Sequence, residues 1–262
     1  MTRFAAALTA APTPALIPTV TLGAPNLAEC AQLMADLAAA GAPALDLHLP
    51  FSDPCADSVA LQQASHRALS AGLKIEAALK LIADFNQAHP NVALMLSLYV
   101  NNALAYGLER FLQQAAAARV SALLLTDVSH AMLAPEHGPF NFKALSAKYG
   151  LELVLLAPDN QSPAALQAIC ADSAACFVQP VHGGAACAAA LTLARSNHTP
   201  SILPLKDGTA AELNALQPLL AQCRALTTGD LVAHCQERGT SVVAAYTALR
   251  AALSANSARK AA

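Results

Sequence analysis

Three aspartates and a histidine crowd the stretch ALDLHLPFSDPCAD, residues 44 to 57, at the end of a run of alternating apolar residues. Side chains alternate along an extended strand, so Leu45, Leu47 and Leu49 share one face while Asp46 and His48 share the other. An ionisable group aimed into a protein interior is costly unless it is paired or solvated. Asp46 therefore either lines a pocket or joins His48 and neighbouring strands in a satisfied polar layer. In the pocket reading, a carboxyl beside an imidazole is equipment for moving protons. Asp53, before Pro54, also reads as a turn former, and an Asp or Ser N-cap is expected just where Asp57 precedes SVALQQASHRALSAG. Tyr99, Asn101, Asp127 and His182 follow or end other apolar runs in the same way.

Such residues act together only if the backbone brings them to one rim. Short apolar runs alternate with longer helical patterns from end to end. The runs span 15–22, 43–49, 91–98, 120–127, 151–157, 175–181, 201–205 and 224–228, which makes eight candidate strands. Helical patterns lie at 27–41, 59–72 with 74–88, 104–118, 139–148, 162–173, 185–196, 209–222 and 239–255. In the first, Leu27, Cys30, Leu33, Met34 and Leu37 recur at spacings of three and four, and Gly41 supplies a C-terminal stop. A short helix precedes the first strand. Strand and helix repeating eight times in 262 residues predict an α/β chain, a (β/α)8 TIM barrel spanning 1–262 as a single domain. A doubly wound open sheet is the alternative, and no G-x-G-x-x-G follows the first strand to support its dinucleotide-binding version. In a barrel, chemistry sits where strands end and loops begin, which is where the polar residues above fall.

Composition narrows the function classes. A 55% hydrophobic fraction supports a sizeable core, and a 12% charged fraction leaves apolar surface to meet a partner. A net charge of -2 without basic clusters argues against nucleic acid and anionic lipid. No apolar run approaches the roughly 18 residues of a membrane span, so a soluble, cytoplasmic protein is expected. The opening MTRFAAALTAAPTPA mimics a signal peptide, but its apolar run is barely long enough and its basic region is thin. Seven scattered cysteines without C-x-x-C or metal-ligand spacing read as reduced, buried thiols, with no metal expected.

The stretch ALDLHLPFSDPCAD closely resembles the signature of tryptophan synthase α subunits, L-E-L-G-x-P-F-S-D-P-x-A-D-G. IPTVTLGAPN (17–26) is similar to that family's first strand and loop, and LQQASHRALSAG (61–72) to its second helix. YVNNALAYGLERF (99–111) is similar to the segment after its third strand, and LLLTDV (123–128) to its fourth strand with its aspartate. The resemblance runs from about residue 3 to residue 253. It implies a (β/α)8 barrel that cleaves indole-3-glycerol phosphate to indole and glyceraldehyde 3-phosphate in tryptophan biosynthesis, by retro-aldol chemistry without a metal or organic cofactor. Indole then passes to a pyridoxal-phosphate-dependent β subunit. Carried over residue by residue, the resemblance makes Asp46 the acid/base and Asp57 the carboxylate that holds the ring nitrogen. Tyr99, Asp127 and Phe177 fall in the pocket, Phe177 where the family has a tyrosine. Asp53, Pro54 and Asn101 fall at the β-subunit interface, and Gly183, Gly184, Thr228 and Gly229 at the phosphate loops.

Departures from the family pattern cluster at the chemistry. Asp46 replaces a glutamate, and misplacement of about 1 Å can cost on the order of 10²-fold in rate. His48 and Ser58 each replace a glycine. After the sixth strand PVHGGAAC keeps two glycines without the family's S-x-x-G-V-T-G; after the seventh, G-F-G becomes PLK, where Pro204 lacks an N–H and Lys206 offers charge. After the eighth, Gly-Ser becomes Thr228-Gly229. Backbone donors tolerate such change, so a weakened or retuned anion site is expected, with His182 as a new anion contact or a plain surface histidine. Two functions stand side by side. One is an attenuated lyase of this type, or a lyase for a related phosphorylated substrate. The other is a catalytically impaired paralogue acting as a protein partner or regulator.

Overall fold

Pro18 has no amide hydrogen to give a neighbouring strand, and the first strand breaks there. The computed structural model describes residues 3–133, 141–206 and 208–261, with side chains described as far as 255. In it, β1 covers Ala15–Ile17 and β2 covers Thr19–Thr21. The two pieces close the sheet: β1 pairs with β9 (Ala225–Thr228), and β2 pairs with β3 (Ala44–His48). Between them run β4 (Ala93–Leu98), β5 (Ala122–Leu125), β6 (Glu152–Pro158), β7 (Ala175–Gln179) and β8 (Ser201–Leu205). Every pairing is parallel. The eight expected strands are present, the first in two parts, and closure rules out the open doubly wound sheet.

Parity divides the strand residues between two cores. Leu45, Leu47, Leu94, Leu96, Leu123, Leu155, Leu203 and Leu226 face outward and pack with helical residues such as Met34, Leu37, Ile82 and Phe111. Six strands begin with alanine, at 15, 44, 93, 122, 175 and 225, and all six residues join the inner cluster. Small side chains at that end leave space, and α1 (Arg3–Ala10) fills it with Phe4 and Leu8, both fully buried against the alanines. Burying two such side chains contributes about 4 kcal/mol. With its N-terminal end plugged, the barrel offers its C-terminal rim for chemistry.

The helices follow the expected order with three adjustments. First, α2 (Leu27–Ala39) starts from Asn26, whose side chain accepts the Glu29 N–H at 3.0 Å; it buries Cys30, Met34 and Leu37, but Leu27 is 40% exposed, off that face. After α3 (Val59–Ser70) and α4 (Ile75–Ala88), the helix expected at 104–118 is two, α5 (Val100–Tyr106) and α6 (Leu108–Ala117), parted by Gly107 at φ 94°. A side chain there would be strained. Residues 139–140 of the next expected helix lie outside the described residues, and α7 covers Phe142–Lys148. Then come α8 (Pro163–Asp172), α9 (Gly184–Ser196) and α10 (Ala210–Leu220). The third adjustment is α11 (Gly229–Arg238), unanticipated because its buried stripe is only Val232, Ala233 and Cys235; α12 (Val242–Ala261) follows. Among the described residues, no helix is long and apolar enough to cross a membrane. Six of the seven free cysteines are buried, and Cys55 is exposed.

Candidate active site

On β3, Asp46 and His48 point into the ring, as alternation requires when Leu45 and Leu47 pack outward. Asp46 is 5% exposed. Its Oδ2 accepts the Thr19 hydroxyl at 2.9 Å, and its Oδ1 accepts the Ser97 hydroxyl. Thr19 stands directly across from Asp46 on β2, and Ser97 is the β4 register partner of His48. Burial pushes the Asp46 carboxyl above the ordinary carboxylate range; the two hydroxyl donors and His48 pull it back only in part. Asp46 is thus biased toward its protonated form and fixed in orientation. Sequence reasoning missed Thr19 and Ser97, although inner-face parity within their own runs marks both.

One pleat nearer the rim, His48 Nε2 lies 3.0 Å from Asp57 Oδ2, with side chains only 3% and 7% exposed. The two atoms are in close polar contact without the alignment of a hydrogen bond. Asp57 can turn to His48 because it does not cap the next helix. Ser58 does so, its hydroxyl accepting the Leu61 N–H at 3.3 Å. Tyr99, buried and stacked on Phe51 at 4.9 Å, accepts the Ala56 N–H at 2.9 Å through its hydroxyl. Burial and the neighbouring Asp57 charge push the Tyr99 phenol up, so it stays neutral. Tyr99 therefore clamps the loop that presents Asp57.

The other sequence candidates divide between rim and surface. Asp53 is exposed and Pro54 half-buried on the loop after β3, and Asn101 is exposed in the first turn of α5. Next to Asn101, Asn102 is buried and donates to the Pro50 carbonyl at 3.1 Å, tying α5 to the loop after β3. Asp127 is exposed, and its Oδ1 accepts the Val100 N–H at 2.9 Å at the start of α5. Phe177 lies between Leu156 and Ile202 in register and packs against the inner apolar cluster. Gly183 and Gly184 open α9 at φ 69° and 51°. Gly229 opens α11, while Thr228 is fully buried and by parity shares the outward face of Leu226.

Two carboxylates escaped sequence reasoning altogether. Asp159, just past β6, accepts the backbone N–H groups of Val181, His182 and Gly183 at 2.9, 2.8 and 2.8 Å. Burial works against its charge, but the three donors prevail and hold the carboxyl below the usual range. Asp230, in the first turn of α11, accepts the Ser58 hydroxyl and joins the loop after β3 to the end of β9. An aspartate at a strand end is a weak signal by itself, and nothing local pairs position 159 with 181–183. The imidazole of His182, read from the sequence as either an anion contact or a plain surface histidine, is on an exposed residue whose N–H is already engaged by Asp159.

Fold and site together define a parallel (β/α)8 barrel with ionisable side chains gathered toward the C-terminal rim. The tryptophan synthase alpha chain family model matches residues 5–202, and the chain belongs to that family. It is 34% identical over 155 residues to the tryptophan synthase alpha chain of Francisella tularensis subsp. tularensis, covering 59% of this chain and 55% of the relative. It is 35% identical over 159 residues to that of Edwardsiella ictaluri, covering 61% and 57%. The chain thus spans little more than half the length of the curated relatives it matches. Among solved structures, tryptophan synthase subunit alpha from Legionella pneumophila superposes with a TM-score of 0.81 at 22% identity, covering 98% of each chain. A chain of the tryptophan synthase a2b2 complex from Pyrococcus furiosus gives 0.76 at 22% identity, covering 90% and 95%. At such identities the structural likeness speaks for the fold.

Proposed function

We propose that this chain is a carbon–carbon lyase of the family type, acting in tryptophan biosynthesis in the cytoplasm and releasing indole from an indole that bears a glycerol side chain. In the family reaction that substrate is indole-3-glycerol phosphate. The observation that carries the reading is the vertical arrangement on β3, a buried carboxyl biased toward its proton beneath a His48–Asp57 pair. Retro-aldol cleavage needs a proton for the ring carbon bearing the side chain, loss of the adjacent hydroxyl's proton, and a hold on the ring N–H as positive charge develops. Asp46 delivers the first proton, which makes the ring an electron sink. His48 takes the hydroxyl proton, the aldehyde carbonyl forms, and the electron pair of the broken bond returns to the ring as indole. Asp57 receives the ring N–H. Phe177 and the inner apolar layer offer the ring a flat, dry surface.

The exposed Asp53 and Asn101, with Pro54, support docking of a pyridoxal-phosphate-dependent β subunit on the loop after β3 and the start of α5. A second reading, the impaired paralogue acting as a protein partner, is favoured by one observation: both Asp46 oxygens are already taken by Thr19 and Ser97. An indole-release assay on indole-3-glycerol phosphate and on indole-3-glycerol, with and without a β subunit, separates the two. Asp46→Ala is expected to lower the rate by about 10²-fold or more, with Asp46→Glu retaining activity. A rate indifferent to Asp46→Ala would overturn the acid role. No indole under any condition, with a β subunit still bound, would establish the partner reading.

A further inference from the structure

Barrels of this architecture commonly hold a substrate phosphate with backbone N–H groups in the loops after the seventh and eighth strands and at the N-terminus of a short extra helix. Here those loops follow β8 and β9, and α11 is the short helix. The loop after β7 joins them, because Gly183 opens into α9. In two of these places a carboxylate of the chain itself takes the backbone N–H groups, and at the third, the N-terminus of α11, a carboxylate adds its own negative charge. Asp159, 6% exposed, takes three successive N–H groups of the loop after β7 at 2.8 to 2.9 Å. Glu212 takes the N–H groups of Lys206 and Gly208 after β8, at 2.7 and 2.8 Å. Asp230 sits in the first turn of α11 with the Ser58 hydroxyl on its Oδ1. Pro204, at the end of β8, has no N–H to add.

We infer that Asp159 and Asp230 are specificity-determining residues that fill the anion positions of the rim, so that the substrate's side chain is neutral and hydroxylated instead of phosphorylated. A second anion brought to these places would meet like charge, and after β7 and β8 it would find the N–H groups of Val181, His182, Gly183, Lys206 and Gly208 already taken. A hydroxylated tail meets the opposite situation, since carboxylates accept hydrogen bonds from hydroxyls as Asp230 does from Ser58. The basic residues nearby do not reverse this. His182 is an exposed residue beside Asp159, and Lys206 is an exposed residue on the loop that Glu212 holds. The inference rests on the lyase reading for the ring end of the substrate and alters it only at the tail.

The test separates binding from turnover. Inorganic phosphate and glycerol 3-phosphate are titrated by calorimetry into the wild-type chain, Asp159→Ala, Asp230→Ser and the double variant, with thermal melting to confirm folding. Asp159→Asn serves as the shape-preserving variant should Asp159→Ala fail to fold. Wild type is expected to show no saturable binding in the millimolar range, and the variants to bind at least about tenfold more tightly. Wild-type indole release is expected to have a kcat/KM at least about tenfold higher for indole-3-glycerol than for its phosphate. Saturable phosphate binding by wild type that no variant tightens, or preference for the phosphorylated substrate, would overturn the inference. If neither substrate yields indole, the lyase reading falls, and the titrations still decide the anion question.

Discussion

His48 Nε2 faces Asp57 Oδ2 at 3.0 Å near the C-terminal end of β3, where a strand and the loop after it bring an imidazole and a carboxylate into near-complete burial. The pair lies above Asp46, so three proton-bearing groups share one column of the barrel.

Breaking that pair should be costly. Asp57→Ala leaves the buried His48 imidazole without the carboxylate that faces it at 3.0 Å, and a buried polar group stripped of its partner costs about 1 to 3 kcal/mol. Urea denaturation should show that loss, and pairing Asp57→Ala with His48→Gly should recover a large part of it. A double-mutant cycle with a coupling below about 0.5 kcal/mol would show that the two residues do not stabilise each other.

Asp46 makes stability depend on pH with a definite sign. Its folded carboxyl titrates above its unfolded value, because burial outweighs the hydroxyl donors. The stability it contributes is fully present below the unfolded value near pH ~3.9, and is lost as pH rises through the folded value. Asp46→Asn cannot ionise, so its melting temperature should gain on wild type as pH rises from about 4 to about 8. A difference between the two proteins that stays constant over that range would contradict the buried-acid assignment. Indole release should likewise decline on the alkaline side as Asp46 loses its proton.

The plug at the opposite end makes a purely structural prediction. Phe4→Ala removes a fully buried ring from the alanine-lined floor, and a cavity of that kind costs about 3 to 4 kcal/mol. Calorimetric melting should register the loss, while kcat/KM of the folded protein should hardly move. A substitution that left the melting temperature unchanged would mean that α1 does not seal the barrel.

Ser58 serves two partners, the N-terminus of α3 and Asp230. Ser58→Ala should cost about 1 kcal/mol through the cap alone, and Ser58→Thr should restore most of it. Hydrogen exchange of the first turns of α3 and α11 is the readout, since both should loosen together in Ser58→Ala. Loosening of α3 alone would show that the Asp230 bond carries little.

Strand parity was legible from the chain because its period is local. The alternation of ALDLHL already aimed Asp46 and His48 inward, and the leucines between them now pack against the helices. Helix limits were legible where a cap or a positive-φ glycine marks them, as at Asn26 and Gly41. They were not legible at Gly107, where the apolar pattern continues through the break, or in α11, whose buried stripe is too thin to register. Ser58 shows the limit of a local rule: the sequence offered Asp57 or the serine after it as the cap, and only the packed structure gave that place to Ser58 and left Asp57 to face His48.

By itself, then, the sequence determined the barrel, the inward direction of its acid-bearing strand and the family to which the chain belongs, since these follow from periodicity and short motifs. The tertiary structure alone decided what each carboxylate does. Asp46 meets the Ser97 hydroxyl from 51 positions away, Asp230 meets Ser58 from 172, and Asp159 meets the Gly183 amide from 24. A carboxylate's charge and role depend on which donors surround it and how far it is from water, and closing the barrel is what sets both.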